Sequence, residues 1–131
     1  LPMQYVRKRA QGFGPAARIE GVSSPGQRVL LVEDLTTDGA SKIRFCEALR
    51  QAGMEISDVL MLFHYDIFPA TRTALAERGL RLHALANWRD ILAATEEQQI
   101  FTPAERSRLA AFIEAPLDWS AAHGGSRHIT F

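Results

Sequence analysis

The chain holds a single cysteine, Cys46, so an internal disulfide and a cysteine-built metal cluster are both excluded. A reducing, cytoplasmic setting is the expectation that goes with it. Net charge is absent as well: fifteen Lys and Arg offset fifteen Asp and Glu. No global field therefore argues for a nucleic-acid or membrane partner. No apolar stretch approaches the length of a membrane span, and nothing resembles a signal peptide. Neither a lysine-bearing Walker loop nor a dinucleotide G-x-G-x-x-G occurs, which counts against the common phosphate loops. Internal repeats are missing. A starting methionine is missing too: Leu1 is followed almost at once by a strand-like run, and this abrupt start predicts that a front part of the protein lies upstream. The 131 residues suffice for one domain with a modest core.

What is present is concentrated in residues 28–41, RVLLVEDLTTDGAS. Val29, Leu30, Leu31 and Val32 form an unbroken apolar run, as expected of a strand buried on both faces of a parallel sheet. Glu33 and Asp34 follow where the strand should emerge. Thr36, Thr37, Asp38, Gly39, Ala40 and Ser41 then make a short hydroxyl- and glycine-containing loop, with a helical pattern directly behind. Free N–H groups and the positive end of a helix dipole at such a loop can cradle a phosphate. The two carboxylates can hold ribose hydroxyls or a divalent cation. An ordinary strand-to-helix turn with acidic capping residues has the same outline. The combined order of apolar strand, acidic pair and hydroxyl-glycine loop resembles the phosphoribosyl-diphosphate signature of the type I phosphoribosyltransferases.

Patterning predicts the remaining elements. Residues 3–6 read as a short strand ending in the basic run Arg7, Lys8 and Arg9. A glycine-rich loop around Gly12 and Gly14, a short strand over 18–22 and a Pro25-Gly26 turn follow. A helix over 41–52 presents Ile43, Cys46, Leu49 and Ala52 on one face, with Gly53 closing it. Cys46 reads there as a small core residue rather than a reactive thiol. Residues 59–63, VLMLF, form a second apolar strand, and the helix between the two strands implies a right-handed crossover. Pro69 opens a helix to residue 77, and 80–85 form a third strand. Asn87 caps the next helix, and Thr102, Pro103 and Glu105 form a capping box for another. From Pro116 onward the chain reads as a tail, so residues 1–115 are taken as the core and 116–131 as the tail. Strand alternating with helix gives an α/β fold, a mostly parallel twisted sheet flanked by helices.

Phosphoribosyl transfer demands an anchor for the 5′-phosphate, a hold on the ribose diol and cations for the departing pyrophosphate. The loop from Thr36 to Ser41 suits the first, and Glu33 and Asp34 the second and the positioning of Mg²⁺. Arg7 and Lys8 suit the third, as fork and point charge. A side chain replacing the hydrogen of Gly39 is expected to harm phosphate binding more than stability. The order Tyr5-Val6-Arg7-Lys8, Gly-rich loop, Ile19-Glu20-Gly21, Pro-Gly turn and signature resembles the orotate phosphoribosyltransferases, with this chain as their C-terminal portion. The likeness runs through Asn87-Trp88-Arg89-Asp90-Ile91-Leu92.

That resemblance implies a type I phosphoribosyltransferase fold, a cytoplasmic homodimer and Mg²⁺ as cofactor. The implied substrates are phosphoribosyl diphosphate and orotate, for pyrimidine synthesis. It also implies Lys8, Glu33 and Asp34 as catalytic residues, with Arg7 and Lys8 reaching the pyrophosphate, often in the neighbouring subunit's site. Gln11 and Phe13 stand where many members carry a lysine and a histidine, and Tyr65 where many carry an arginine for the orotate carboxylate. His64 and Tyr65 are the base-facing candidates. A phosphoribosyltransferase for another base, or a non-catalytic sensor of phosphoribosyl diphosphate, are the alternatives.

Overall fold

The computed structural model describes residues 2–7, 19–22 and 24–129. Two short strands, β1 (Tyr5–Val6) and β2 (Ile19–Glu20), pair antiparallel as a small ribbon. The main body starts with β3 (Arg28–Thr36), α1 (Ala40–Gln51) and β4 (Glu55–His64). It continues through α2 (Pro69–Ala76), β5 (Arg81–Asn87) and α3 (Trp88–Glu97), then α4 (Pro103–Glu114) and α5 (Pro116–Ala122). The sheet order is β3-β4-β5, all parallel, with β4 in the centre. Leu31 faces Val59 and Glu33 faces Met61 across one ladder, and His64 pairs with Thr36 on one side and Asn87 on the other. The α/β architecture with a parallel sheet is as expected.

The core lies between the sheet and helices α1 and α2. Ile43, Phe45, Cys46 and Leu49 from α1 and Ala74 and Leu75 from α2 pack on Leu31, Ile56, Val59 and Met61. The helical spacing of Ile43, Cys46 and Leu49 is therefore the inward stripe it promised. Cys46 is completely buried, and burial pushes its thiol up to about 11, which leaves it inert at neutral pH. Gly53 closes α1 in the left-handed conformation, with the Met54 N–H donating back to Leu49 O. Both capping boxes form: Asn87 with Asp90, and Thr102 with Glu105.

One expectation needs correction. The apolar runs of β3 and β4 are not buried on both faces. Leu30 (51 %), Val32 (56 %), Leu62 (52 %) and, on β5, Leu85 (71 %) are exposed together. Side chains alternate along a strand, so one set meets the helices and the other needs a second layer. No described element supplies that layer. Within the segment read as a tail, α5 spans Pro116–Ala122 with Pro at its start and Asp118 in its first turn. Trp119 holds it against α4 through an edge contact with Phe112 at 5.2 Å between ring centroids.

Candidate active site

The acidic pair, the hydroxyl-glycine loop and the start of α1 meet at the C-terminal edge of the sheet, where open parallel sheets bind their ligands. Glu33 and Asp34 are neighbours on a strand, so their side chains leave on opposite faces. Glu33 turns toward α1 and forms a close ion pair with Lys42, whose side chain is almost entirely buried. Asp34 stays exposed, and its Oδ1 accepts from the N–H of Leu35 at 2.7 Å. The expected repulsion between adjacent carboxylates is thus relieved by splitting them and by neutralising one.

The loop is built to leave N–H groups open. Gly39 occupies the N-cap position of α1 at φ +82°, and no side chain caps the helix from there. Ala40 N–H donates to Asp38 Oδ1 at 3.0 Å, and Lys42 and Ile43 N–H both donate to Gly39 O. The N–H groups of Thr37, Asp38, Gly39 and Ser41 find no acceptor among the described residues. Four unpaired donors at the positive end of a twelve-residue helix are the kind of array that can cradle an anion. Thr36 and Ala40 are buried beneath it, while Thr37 is exposed and Ser41 half-buried. From below, Thr36 O accepts the N–H of Tyr65, and Asp38 O accepts the hydroxyl of Thr71 at 2.9 Å.

Other candidates are placed differently. Arg7, at the end of β1, is engaged by Glu20 of β2. Lys8, like Gln11 and Phe13, lies outside the described residues. Tyr65 is half-buried in a cluster of three rings with Phe63 and Trp88, at 5.5–5.9 Å between centroids. His64 does not face outward at all. Its ring is fully buried, both nitrogens lack a hydrogen-bond partner among the described residues, and Nδ1 stands 3.7 Å from Asp66 Oδ1. Asp66 is held in turn by both arms of Arg72, each at 2.9 Å, which keeps its carboxyl below the usual range.

Burial holds the His64 pKa below its ordinary 6.5, with Asp66 pulling weakly the other way. A folded pKa below the unfolded one means that unfolding takes up a proton as acidity rises. The neutral ring's contribution is therefore complete above the unfolded value and is lost as pH falls below it. Stability of the chain is expected to fall as pH drops below about 6.5, and His64→Leu to remove most of that fall. Urea midpoints on both sides of that pH check it, and an unchanged slope in the variant would assign the titration elsewhere.

Lys42 and Thr71 were not among the sequence candidates. Lys42 carried a signal, because it shares the helical stripe of Cys46 and Leu49 and a lysine on an inward stripe calls for a buried partner. Thr71 carried only its spacing to Ala74 and Leu75. A shallow concavity of about 890 Å³ also exists, but it opens at the opposite end of the sheet beside Arg28, Arg50 and Glu55.

Among the described residues no group of three or more His, Cys, Asp or Glu side chains could hold a metal by itself. A Mg²⁺ bound chiefly through ligand phosphates asks for only one or two carboxylates, and the exposed Asp34 fits that share. No helix among the described residues is long and apolar enough to cross a membrane.

Comparison with known proteins accords with this geometry. No family model matches the chain. Orotate phosphoribosyltransferase of Roseobacter denitrificans is 46 % identical over 123 residues, covering 94 % of this chain and 55 % of that protein. Leishmania donovani UMP synthase superposes with a TM-score of 0.73 at 26 % identity, over 86 % of this chain and 24 % of that one. Mycobacterium tuberculosis orotate phosphoribosyltransferase, solved in complex with 5-phospho-α-D-ribosyl 1-diphosphate, superposes with a TM-score of 0.54 at 32 % identity, over 65 % of this chain and 46 % of that one. The chain spans about half the length of the curated relatives it matches. In sequence and in fold the chain is similar to the orotate phosphoribosyltransferases over about half of their length.

Proposed function

We propose that the β3–α1 turn binds phosphoribosyl diphosphate and that the protein transfers its ribose 5-phosphate to orotate, releasing pyrophosphate and forming orotidine 5′-phosphate. One observation carries the reading: four open N–H groups, at Thr37, Asp38, Gly39 and Ser41, lie just beyond the strand that carries the exposed carboxylate of Asp34. The N–H groups and the hydroxyls of Thr37 and Ser41 hold the 5′-phosphate. Asp34 accepts from the ribose hydroxyls, and Glu33, held by Lys42, keeps the strand end in place. As the bond from C1 to pyrophosphate opens, positive charge grows on the sugar, where a fixed carboxylate stabilises it. Arg7 and Lys8 meet the departing pyrophosphate. Asp34 would help hold a Mg²⁺ ion, which would supply positive charge against the leaving group. Orotate lies toward Tyr65, and the protein acts as a cytoplasmic homodimer whose basic loop reaches the neighbouring site. Residues 1–115 form the working core, with 116–131 appended.

Asp34→Asn tests the reading most directly. Losing a charge-assisted hydrogen bond to the diol is expected to weaken phosphoribosyl-diphosphate binding about 10- to 100-fold. Stability should stay within about 0.5 kcal/mol, because the side chain is exposed. Calorimetric titration of parent and variant, with and without Mg²⁺, measures the first, and urea unfolding the second. Equal affinity in both proteins would remove Asp34 from the ribose, and absent binding in the parent would end the proposal. Binding without turnover of orotate would favour a sensor over an enzyme.

A further inference from the structure

We propose that Thr71, on α2, is a positioning residue that turns the Gly39 N–H into the anion cradle; this rests on the phosphate-binding reading above. Thr71 is fully buried and lies 33 positions from Asp38, yet its Oγ1 donates to Asp38 O at 2.9 Å. Asp38 C=O and Gly39 N–H belong to one peptide group. In a trans peptide these two bonds point in opposite directions. Holding the carbonyl down toward α2 therefore aims the N–H away from α2.

Both branches of the threonine take part. A Cβ built on Gly39 would meet Thr71 Cγ2 at 2.8 Å, so the methyl lies directly against the glycine backbone while the hydroxyl grips the preceding carbonyl. In the middle of a helix a threonine hydroxyl commonly turns back to a carbonyl of its own preceding turn. Thr71 sits in the first turn of α2, where its N–H already uses Phe68 O at 3.0 Å and the hydroxyl is free for the distant loop. Gly39 has the left-handed φ of +82° that a cradle of successive N–H groups uses. The glycine permits the conformation and the threonine chooses which way its peptide faces.

The test uses the full chain with ribose 5-phosphate as the probe, followed through the backbone amide signals of the loop by NMR. In the parent, the Gly39 amide signal should move on titration together with those of Thr37, Asp38 and Ser41. Thr71→Val keeps the shape and removes the donor. Its affinity should fall about tenfold, with loss of the Gly39 response. Thr71→Ser restores the donor and should bind within about twofold of the parent. Binding by Thr71→Val that matches the parent, with the Gly39 response intact, would overturn the proposal. So would a Thr71→Ser variant as weak as Thr71→Val, which would assign the effect to the methyl. Should Thr71→Val fail to fold, the parent still decides: a Gly39 amide unmoved while its neighbours respond overturns the proposal. No loop amide responding in the parent would instead bring down the phosphate-site reading and this inference with it.

Discussion

Gly39→Val is expected to cost about 2–5 kcal/mol of folding stability in addition to phosphate binding, the sum of a left-handed backbone forced on a β-branched residue and an overpacked contact. The sequence alone pointed to a loss of phosphate binding larger than the loss of stability. Two observations change that expectation. Gly39 has φ +82°, and an added Cβ comes within 2.8 Å of Thr71 Cγ2 on a fully buried side chain. The methyl cannot retreat, because its own Oγ1 is tied to Asp38 O. Combining Gly39→Val with Thr71→Ser separates the two contributions, since serine lacks the offending methyl. The double variant should recover about 1–2 kcal/mol, leaving the backbone cost in place. Urea unfolding of the four proteins in this cycle measures it. A single variant as stable as the parent would mean that the loop relaxes freely and that α2 does not constrain it.

Lys42→Met is expected to cost about 2–3 kcal/mol, less than breaking a fully buried pair because Glu33 keeps some access to water. Methionine replaces most of the lysine stem, so the loss comes from the carboxylate left behind rather than from packing. The Lys42 side chain is 6 % exposed and that of Glu33 24 %, so an unpaired Glu33 is hydrated only in part. Adding Glu33→Gln removes the stranded charge and should return about 1 kcal/mol or more. Thermal or urea unfolding decides, and a double variant no better than Lys42→Met would show that the pair adds little beyond its methylenes.

How much of this was readable from sequence depended on distance along the chain. β3, α1 and β4 follow from two apolar runs around one stripe of Ile43, Cys46 and Leu49, all local patterns. The Asn87 cap and the Thr102 capping box were equally plain, because cap and partner lie within three residues of each other. The loop and its acidic neighbours were visible as a motif. What they face was not. That Glu33 and Asp34 part company follows from strand alternation, but which one meets Lys42 depends on where α1 lands on the sheet. The tie from Thr71 to Asp38 crosses two elements and leaves no periodic trace. The fully buried His64 shows the same limit: its register between Thr36 and Asn87, not its type, puts it inside. The exposed Leu30, Val32, Leu62 and Leu85 mark a further one, since an apolar run does not say how many layers will cover it.

The strand order β3-β4-β5 repeats the order of synthesis, so each new strand finds its pairing edge already made. Assembly of this kind can zip forward from one βα unit to the next without waiting for a distant segment. The β3–α1 turn is an exception to that simple progression. Its backbone is complete once β3 and α1 have formed, yet the hydroxyl that holds the Asp38 carbonyl arrives only with α2, after β4 has been laid down. An intermediate that stops at β4 therefore has the sequence of the loop without its anchored peptide. The set of the Asp38 peptide thus waits for α2 and becomes a reporter of whether that helix has docked.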